Sequence, residues 1–343
     1  NLVKQVGKLK NLSFFSQLGT FYDKTQRLRK LASIVSDQLS LSKEKVEIAS
    51  SICKADLVSD LVGEYPELQG VMGKYFAMEQ GFEEDISMAI SDHYLPIGIN
   101  SEVPKKPIGI AVALIDKIDM LVGFFGIDEK PTSSKDPFAL RRTATGLLRV
   151  ITENKLTIQL KDLINYSIAT YGEQNVKFSN NLVSKEVLIF LRERFKNLLK
   201  DKKIRNDIIE AVAVSYTGDD FLVLYKKCLI INKNISKDIC KNIIGTYKRA
   251  SNIIDQELKN KKENITGQPE SFLFKKDEEK HLYNKINEIR KYFSNTKKRE
   301  SYDETLKILA EAKPTTDNFF DNVIVNDENS DIKKNRLELL QMF

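Results

Sequence analysis

Asp116 and Asp119 stand three residues apart in a run that is otherwise apolar, IGIAVALIDKIDMLVGFFGI. On a helix that spacing puts both carboxylates on one face, where they could share a cation or work as general acid and base. The same two charges are costly in apolar surroundings unless basic side chains meet them. A structural ion pair is therefore the other reading, with a partner sought beside Lys117 or among the arginines of 137–153. Asp56 and Asp60 on an earlier helix carry the same two readings. Imidazole is scarce: the chain has 2 His, His93 and His281. A site that needs several imidazoles from neighbouring elements is excluded. His93 follows Asp92 at a helix end and reads as a cap, a satisfied pair or, less simply, a ligand. His281, among Glu278, Glu279 and Lys280, reads as solvent-facing. The 3 Cys, at 53, 228 and 240, are odd in number and include no CxxC. That excludes a four-Cys zinc site and a disulfide framework, and suits a reducing compartment. The chain carries no P-loop, no GxGxxG and no GxSxG.

The basic residues offer a different chemistry. In PTSSKDPFALRR, Asp136 is placed for an N-cap and Pro137 for the first helical position. Arg142 and Arg149 then share a face of the helix that runs to about 153, with Arg141 flanking it. Lys135 precedes the N-terminus, where unpaired N–H groups favour phosphate. Lys248, Arg249 and Asn252 sit within two turns of a long helix, a set suited to phosphate and base contacts. Each group reads equally as a salt-bridged, solvated surface.

These side chains need elements to hold them, and the periodicity is helical almost throughout. Leu28, Leu31, Ile34, Val35 and Leu39 line one face. Ser42 is a candidate N-cap, with Val46, Ala49, Ile52 and Cys53 inward. Further helices are expected at 67–80, 83–94, 108–126, 158–171, 184–200, 203–215, 220–230, 236–260, 277–294 and 300–312. The 108–126 segment is apolar nearly all round and therefore central. On 236–260 (capped by Ser236), Ile239, Ile243, Tyr247, Ala250, Ile254 and Leu258 are expected inward. KNKKENITGQPES, 259–271, reads as a loop. Pro314 is expected to break the chain before NFFDNVIV, a short apolar turn, and a last helix starts near Asn329. Strand signals are scarce.

Composition agrees with an all-α globular chain. The 343 residues are 41% hydrophobic and 30% charged, with net charge +6, too apolar for disorder. No run approaches the roughly 18 to 20 apolar residues of a membrane span. Residues 1–150 hold 19 basic and 19 acidic side chains, whereas 171–276 hold 21 and 13. That imbalance is either a Lys-rich solvated surface or a footprint for a polyanion. The chain begins at Asn1 with no signal sequence, as a piece of a longer cytoplasmic protein would.

Several ordered motifs resemble the beta subunit of the two-subunit bacterial glycyl-tRNA synthetase. They are KADLVSDLVGEYPELQGVMGKYFA at 54–77, AISDHYLP at 89–96, ALIDKIDMLVGFFGIDEKPTSSKDPFALRRTATGLLRVI at 113–151, YKRASNII at 247–254 and KPTTDNFFDNVIVNDENSDIKKNRLELL at 313–340. The resemblance spans nearly the whole chain and implies a layout. Residues 1–153 would be a helical HD-type domain. Residues 154–343 would be a helical linking region and a DALR-like anticodon-binding bundle, cut short at its C-terminus, with roughly the first half of the subunit absent. It implies a tRNA-binding role, with glycine tRNA and an alpha subunit as partners in an alpha/beta heterotetramer. The alpha chain would hold glycine, ATP and Mg²⁺, and this chain no cofactor and no catalytic residue. HD phosphohydrolases hold metal through several His, a His–Asp pair and a distant Asp. Here the pair's position reads Ala55–Asp56, the distant acid could be Asp116, and His93 is the sole nearby imidazole. The expectation is a degenerate HD site. Lys248, Arg249, Asn252, Lys135, Arg141, Arg142 and Arg149 would face tRNA. An HD-type metal-dependent phosphohydrolase and a non-catalytic helical scaffold are the alternatives.

Overall fold

The computed structural model describes residues 1–98, 100–216, 218–261, 265, 267–295 and 302–343. Residues 262–264 and 266 of the expected 259–271 loop, and 300–301 of the expected 300–312 helix, lie outside the described residues. The fold is all-α. Among the described residues the strands are one short antiparallel hairpin, β1 (Ser13–Phe15) and β2 (Gly19–Thr20). The chain divides into two compact units, Asn1–Cys228 and Leu229–Phe343.

The first unit begins with α1 (Leu2–Lys8), the hairpin, α2 (Phe21–Leu39), α3 (Lys43–Ile52), α4 (Asp60–Glu64), α5 (Val71–Glu79) and α6 (Glu84–Asp92). It continues through α7 (Pro107–Gly126), α8 (Leu140–Glu153), α9 (Leu160–Glu173), α10 (Val183–Asp201), α11 (Asn206–Ser215) and α12 (Phe221–Asn234), within which the division falls. Local signals start several of these helices. Thr20 and Asp23 form a reciprocal capping box at α2, and Ser42 accepts from the Lys45 N–H at α3. The apolar α7 is buried on almost every side and packs against α2, α3, α6, α8, α9 and α10, as its composition requires. The expected domain edge after 153 falls inside this unit. Tyr171 on α9 donates to the Asp119 carbonyl at 3.0 Å, and the Ser179 N–H donates to the Gly126 carbonyl at 2.7 Å. Burial of Tyr171, Leu191 and Phe195 carries the same core past that edge.

The second unit holds α13 (Asp238–Lys261), α14 (Asp277–Asn295), α15 (Tyr302–Ala310), α16 (Ala312–Asn322) and α17 (Ser330–Gln341). Ala250, Leu282, Ile286, Phe319, Leu337 and Leu340 fill its core. Asn329 caps α17, accepting from the Asp331 and Ile332 N–H groups. Pro314 does not break the chain. It lies in the first turn of α16, where N–H groups have no intrahelical partner and a proline costs little. The stretch expected as an apolar turn therefore begins as helix, and Phe319 is fully buried. Among the described residues no helix is long and apolar enough to cross a membrane.

Candidate functional site

The paired aspartates of α7 are closed by basic side chains from α2 and from the turn after α3. Asp119 is fully buried and takes Arg27 Nε at 2.7 Å and Lys24 Nζ at 2.9 Å. Asp116 takes Lys24 at 3.0 Å and Lys54 at 3.4 Å. Arg27 is itself fully buried and lies 3.9 Å from the Tyr171 ring centroid. Burial opposes ionisation of both acids, but the adjacent ammonium and guanidinium groups outweigh it and hold them below the usual carboxylate range. The partners are thus on α2 and at Lys54, not in 137–153 as the sequence suggested.

His93 completes this cluster without becoming a ligand. Its Nδ1–H donates to the Ala89 carbonyl at 3.2 Å, which leaves Nε2 as acceptor for the Lys54 ammonium at 2.7 Å. Burial first, and Lys54 second, push the imidazole well below its ordinary value. Lys117 bonds the His93 and Leu95 carbonyls at 3.0 and 2.7 Å, and burial lowers its ammonium to about 8.

Ala55 and Asp56 lie on a 3-10 turn, not on one helix with Asp60, which is exposed. Asp56 Oδ2 accepts from the Gly70 and Gly73 N–H groups at 2.6 and 3.1 Å, an anion set on the start of α5. A Cβ at Gly73 would come within 2.9 Å of that oxygen, so a glycine permits the approach. These residues do not fit a metal. Ala55 has no side-chain donor atom, Asp56 Oδ2 is taken by two backbone N–H groups, and His93 and Asp116 face lysine ammonium groups where a cation would sit. Among the described residues no three His, Cys, Asp or Glu converge as ligands would.

The arginines of α8 line one cleft of about 620 Å³ with Thr145 and Lys202. Their start is not as expected. Asp136 is not the N-cap; α8 begins at Leu140, after Ala139 at φ 53°. The reason is packing: Phe138 stacks on Phe124 at 4.2 Å and meets Phe15 at 5.2 Å, which pulls the preceding turn off the helix axis. The Asp136 carboxylate instead reaches forward to the Leu140 and Arg141 N–H groups at 2.8 and 3.0 Å. That fills the anion position expected beside Lys135, which is exposed. Arg141 is tied to the Thr132 carbonyl. Arg149 grips Glu153 at 2.8 Å and the Gly98 and Ser101 carbonyls at 3.1 and 2.8 Å. Arg142 is exposed to solvent.

On α13, Lys248, Arg249 and Asn252 all lie on the exposed side. The buried side runs through Thr246, Ala250 and Glu257. Tyr247, expected inward, is 56% exposed, because Ala250 and not the tyrosine meets the core. Arg249 leans on the Phe320 ring at 4.5 Å and stands 3.8 Å from Asp321. Sequence reasoning missed Arg336, which is buried and bonds Glu279 at 2.9 Å, Asp327 at 2.7 Å and the Ile324 carbonyl at 2.8 Å. It also missed the Glu338 carboxylate of α17. Neither is announced by spacing; only the tertiary fold pairs one and leaves the other open.

Residues 1–214 match the family model described as glycyl-tRNA synthetase beta subunit. The chain belongs to that family. Residues 243–343 match a second model, the DALR anticodon binding domain. The chain is 37% identical over 343 residues to the glycine–tRNA ligase beta subunit of Clostridioides difficile (strain 630), covering 99% of this chain and 48% of that protein. It is 36% identical over 340 residues to that of Rickettsia canadensis (strain McKiel), again covering 99% and 48%. With the protein of Rhodospirillum centenum (strain ATCC 51521 / SW) the identity is 35%, covering 97% and 46%. The chain thus spans about half the length of the curated relatives it matches.

Proposed function

We propose that this chain is the tRNA-binding part of a glycyl-tRNA synthetase beta subunit. It supports ATP-dependent attachment of glycine to glycine tRNA by an alpha subunit in a cytoplasmic alpha/beta heterotetramer. The observation that carries this is the match of residues 243–343 to an anticodon-binding model, on a unit whose α13 presents Lys248, Arg249 and Asn252 to solvent. Lys248 and Arg249 meet phosphate, and Asn252 can pair with a base edge. The α8 cleft, lined by Arg141, Arg142 and Arg149, and Lys135 in the turn before α8 add a second basic footing. The first unit is read as a degenerate HD-type fold whose cation position is filled by Lys24 and Lys54. Glycine, ATP and Mg²⁺ belong to the alpha chain.

A gel shift with purified chain tests this. Glycine tRNA is expected to bind more tightly than an unrelated tRNA, with affinity falling steeply as salt rises. Glycine-dependent pyrophosphate exchange is expected only when an alpha subunit is added. Equal binding of both tRNAs, or exchange by this chain alone, would contradict the reading.

A further inference from the structure

Glu338 on α17 is 7% exposed and lines a polar cavity of about 450 Å³ with Gly267, Glu270, Phe272, Lys334 and Asn335. Lys334, one turn earlier, stands 3.8 Å away, too far for a hydrogen bond. Among the described residues no N–H or O–H donates to this carboxylate. Glu279 in the same unit behaves otherwise: it is fully buried and takes Arg336 Nε at 2.9 Å and the Lys275 and Lys276 N–H groups at 2.8 Å each. The Glu338 side chain is largely buried while its carboxylate opens on the cavity, and burial pushes the carboxyl up against the opposing charge of Lys334.

The rest of the cavity is built to stay open. Gly267 sits at φ 144°, and a Cβ there would collide with Glu338 Oε1. Asn335 and Glu270 lock each other through two bonds, Glu270 N–H to Asn335 Oδ1 at 2.7 Å and Asn335 Nδ2 to the Glu270 carbonyl at 3.2 Å. Phe272 is 75% exposed, with its ring at the cavity wall.

Acceptor carboxylates inside the cavity repel phosphate and call for N–H donors. An exposed ring beside them calls for a flat partner. We infer that the cavity takes an unstacked nucleobase carrying an exocyclic amine, the amine donating to Glu338 and the base lying on Phe272. This rests on the reading of the second unit as an anticodon-binding domain. Lys334, exposed at the rim, meets the phosphate of the same nucleotide. Uracil is rejected, because its single N–H lies between two carbonyls, one of which would be set against the carboxylate.

The test titrates the full chain with a labelled anticodon stem-loop of glycine tRNA. It then uses loops in which one base at a time loses its amine: uracil for cytosine, hypoxanthine for guanine, purine for adenine. At one position the loss is expected to weaken binding roughly ten- to a hundredfold. Glu338→Gln is expected to erase the difference at that position alone. Phe272→Ala, at a side chain outside the core, is expected to weaken every loop about five- to a hundredfold with unchanged melting. If the wild-type chain binds the stem-loop and both variants share its affinity and base profile, the cavity is not the base site, though the anticodon reading stands. If the wild-type chain binds no stem-loop, both the inference and the reading beneath it fall.

Discussion

Asp119 in the first unit and Glu338 in the second are both acidic residues with largely buried side chains, and the chain treats them in opposite ways. Asp119 is met by Arg27 and Lys24 within 2.9 Å. Glu338 has its nearest cation at 3.8 Å and a cavity in front of it. The first arrangement is complete: its two carboxylates are met by Lys24, Arg27 and Lys54, and Lys117 is held by two backbone carbonyls. The second is incomplete. A closed polar cluster holds a fold together, and an open one waits for a partner.

The largest expected effect comes from opening the closed cluster. Asp119→Ala leaves Arg27 and Lys24 buried without a counter-charge and is expected to cost about 3 to 5 kcal/mol of stability. Urea denaturation followed by circular dichroism measures it. A loss under about 1 kcal/mol would break the contrast drawn between the two carboxylates.

A smaller effect is expected at the exposed face of α13. Lys248→Ala with Arg249→Ala is expected to lower the slope of log affinity against log salt for glycine tRNA by roughly 1 to 2. Arg249 is already engaged with Phe320 and Asp321, so most of that loss falls to Lys248. Asn252→Ala is expected to cost roughly 1 to 3 kcal/mol for glycine tRNA and little for others. Titrations with both tRNAs at two salt concentrations measure it; a uniform loss would make Asn252 a packing residue.

The closed cluster also has a pH signature. His93 is neutral in the folded chain well below its ordinary value, whereas in the unfolded chain it protonates below about pH 6.5. Below that point the unfolded state binds more protons, so stability falls as pH drops, by up to about 1.4 kcal/mol per pH unit. The depressed Asp116 and Asp119 act in the same direction lower down: their contribution is intact above about pH 4, the unfolded carboxylate range, and is lost as pH falls through their folded values. His93→Gln is expected to flatten the profile between pH 6.5 and 5 in a urea series; an unchanged profile would mean that the imidazole is not held neutral. The smallest effect is at the open carboxylate. Glu338→Gln is expected to raise stability slightly, by up to about 1 kcal/mol, because it removes a charge that burial disfavours and loses only the long ion pair with Lys334.

Much of the architecture is legible in the sequence because it is set locally. The unbroken apolar run of α7 requires a central helix, and Ser42 and Asn329 announce their helices as caps. Misreadings arise where packing overrides a local signal. Asp136–Pro137 has the form of a helix start, but Phe138 is anchored between Phe15 and Phe124 and delays it. Pro314 has the form of a break, but it occupies a first turn. The site was less legible still. The pairing of Asp119 with Lys24 and Arg27 joins residues more than ninety positions apart, and no spacing encodes it. Glu338 in NRLELL has the form of an ordinary helical glutamate, and only the fold shows the cavity in front of it.

The central claim is that this chain meets tRNA through the second unit. Ultraviolet crosslinking of glycine tRNA to the purified chain, with the crosslinked residues mapped by mass spectrometry, tests it most directly. The account predicts crosslinks from the anticodon loop within 243–343, on the exposed side of α13 and at Phe272. Crosslinks from that loop confined to residues 1–228, or none above those given by an unrelated tRNA, would contradict it.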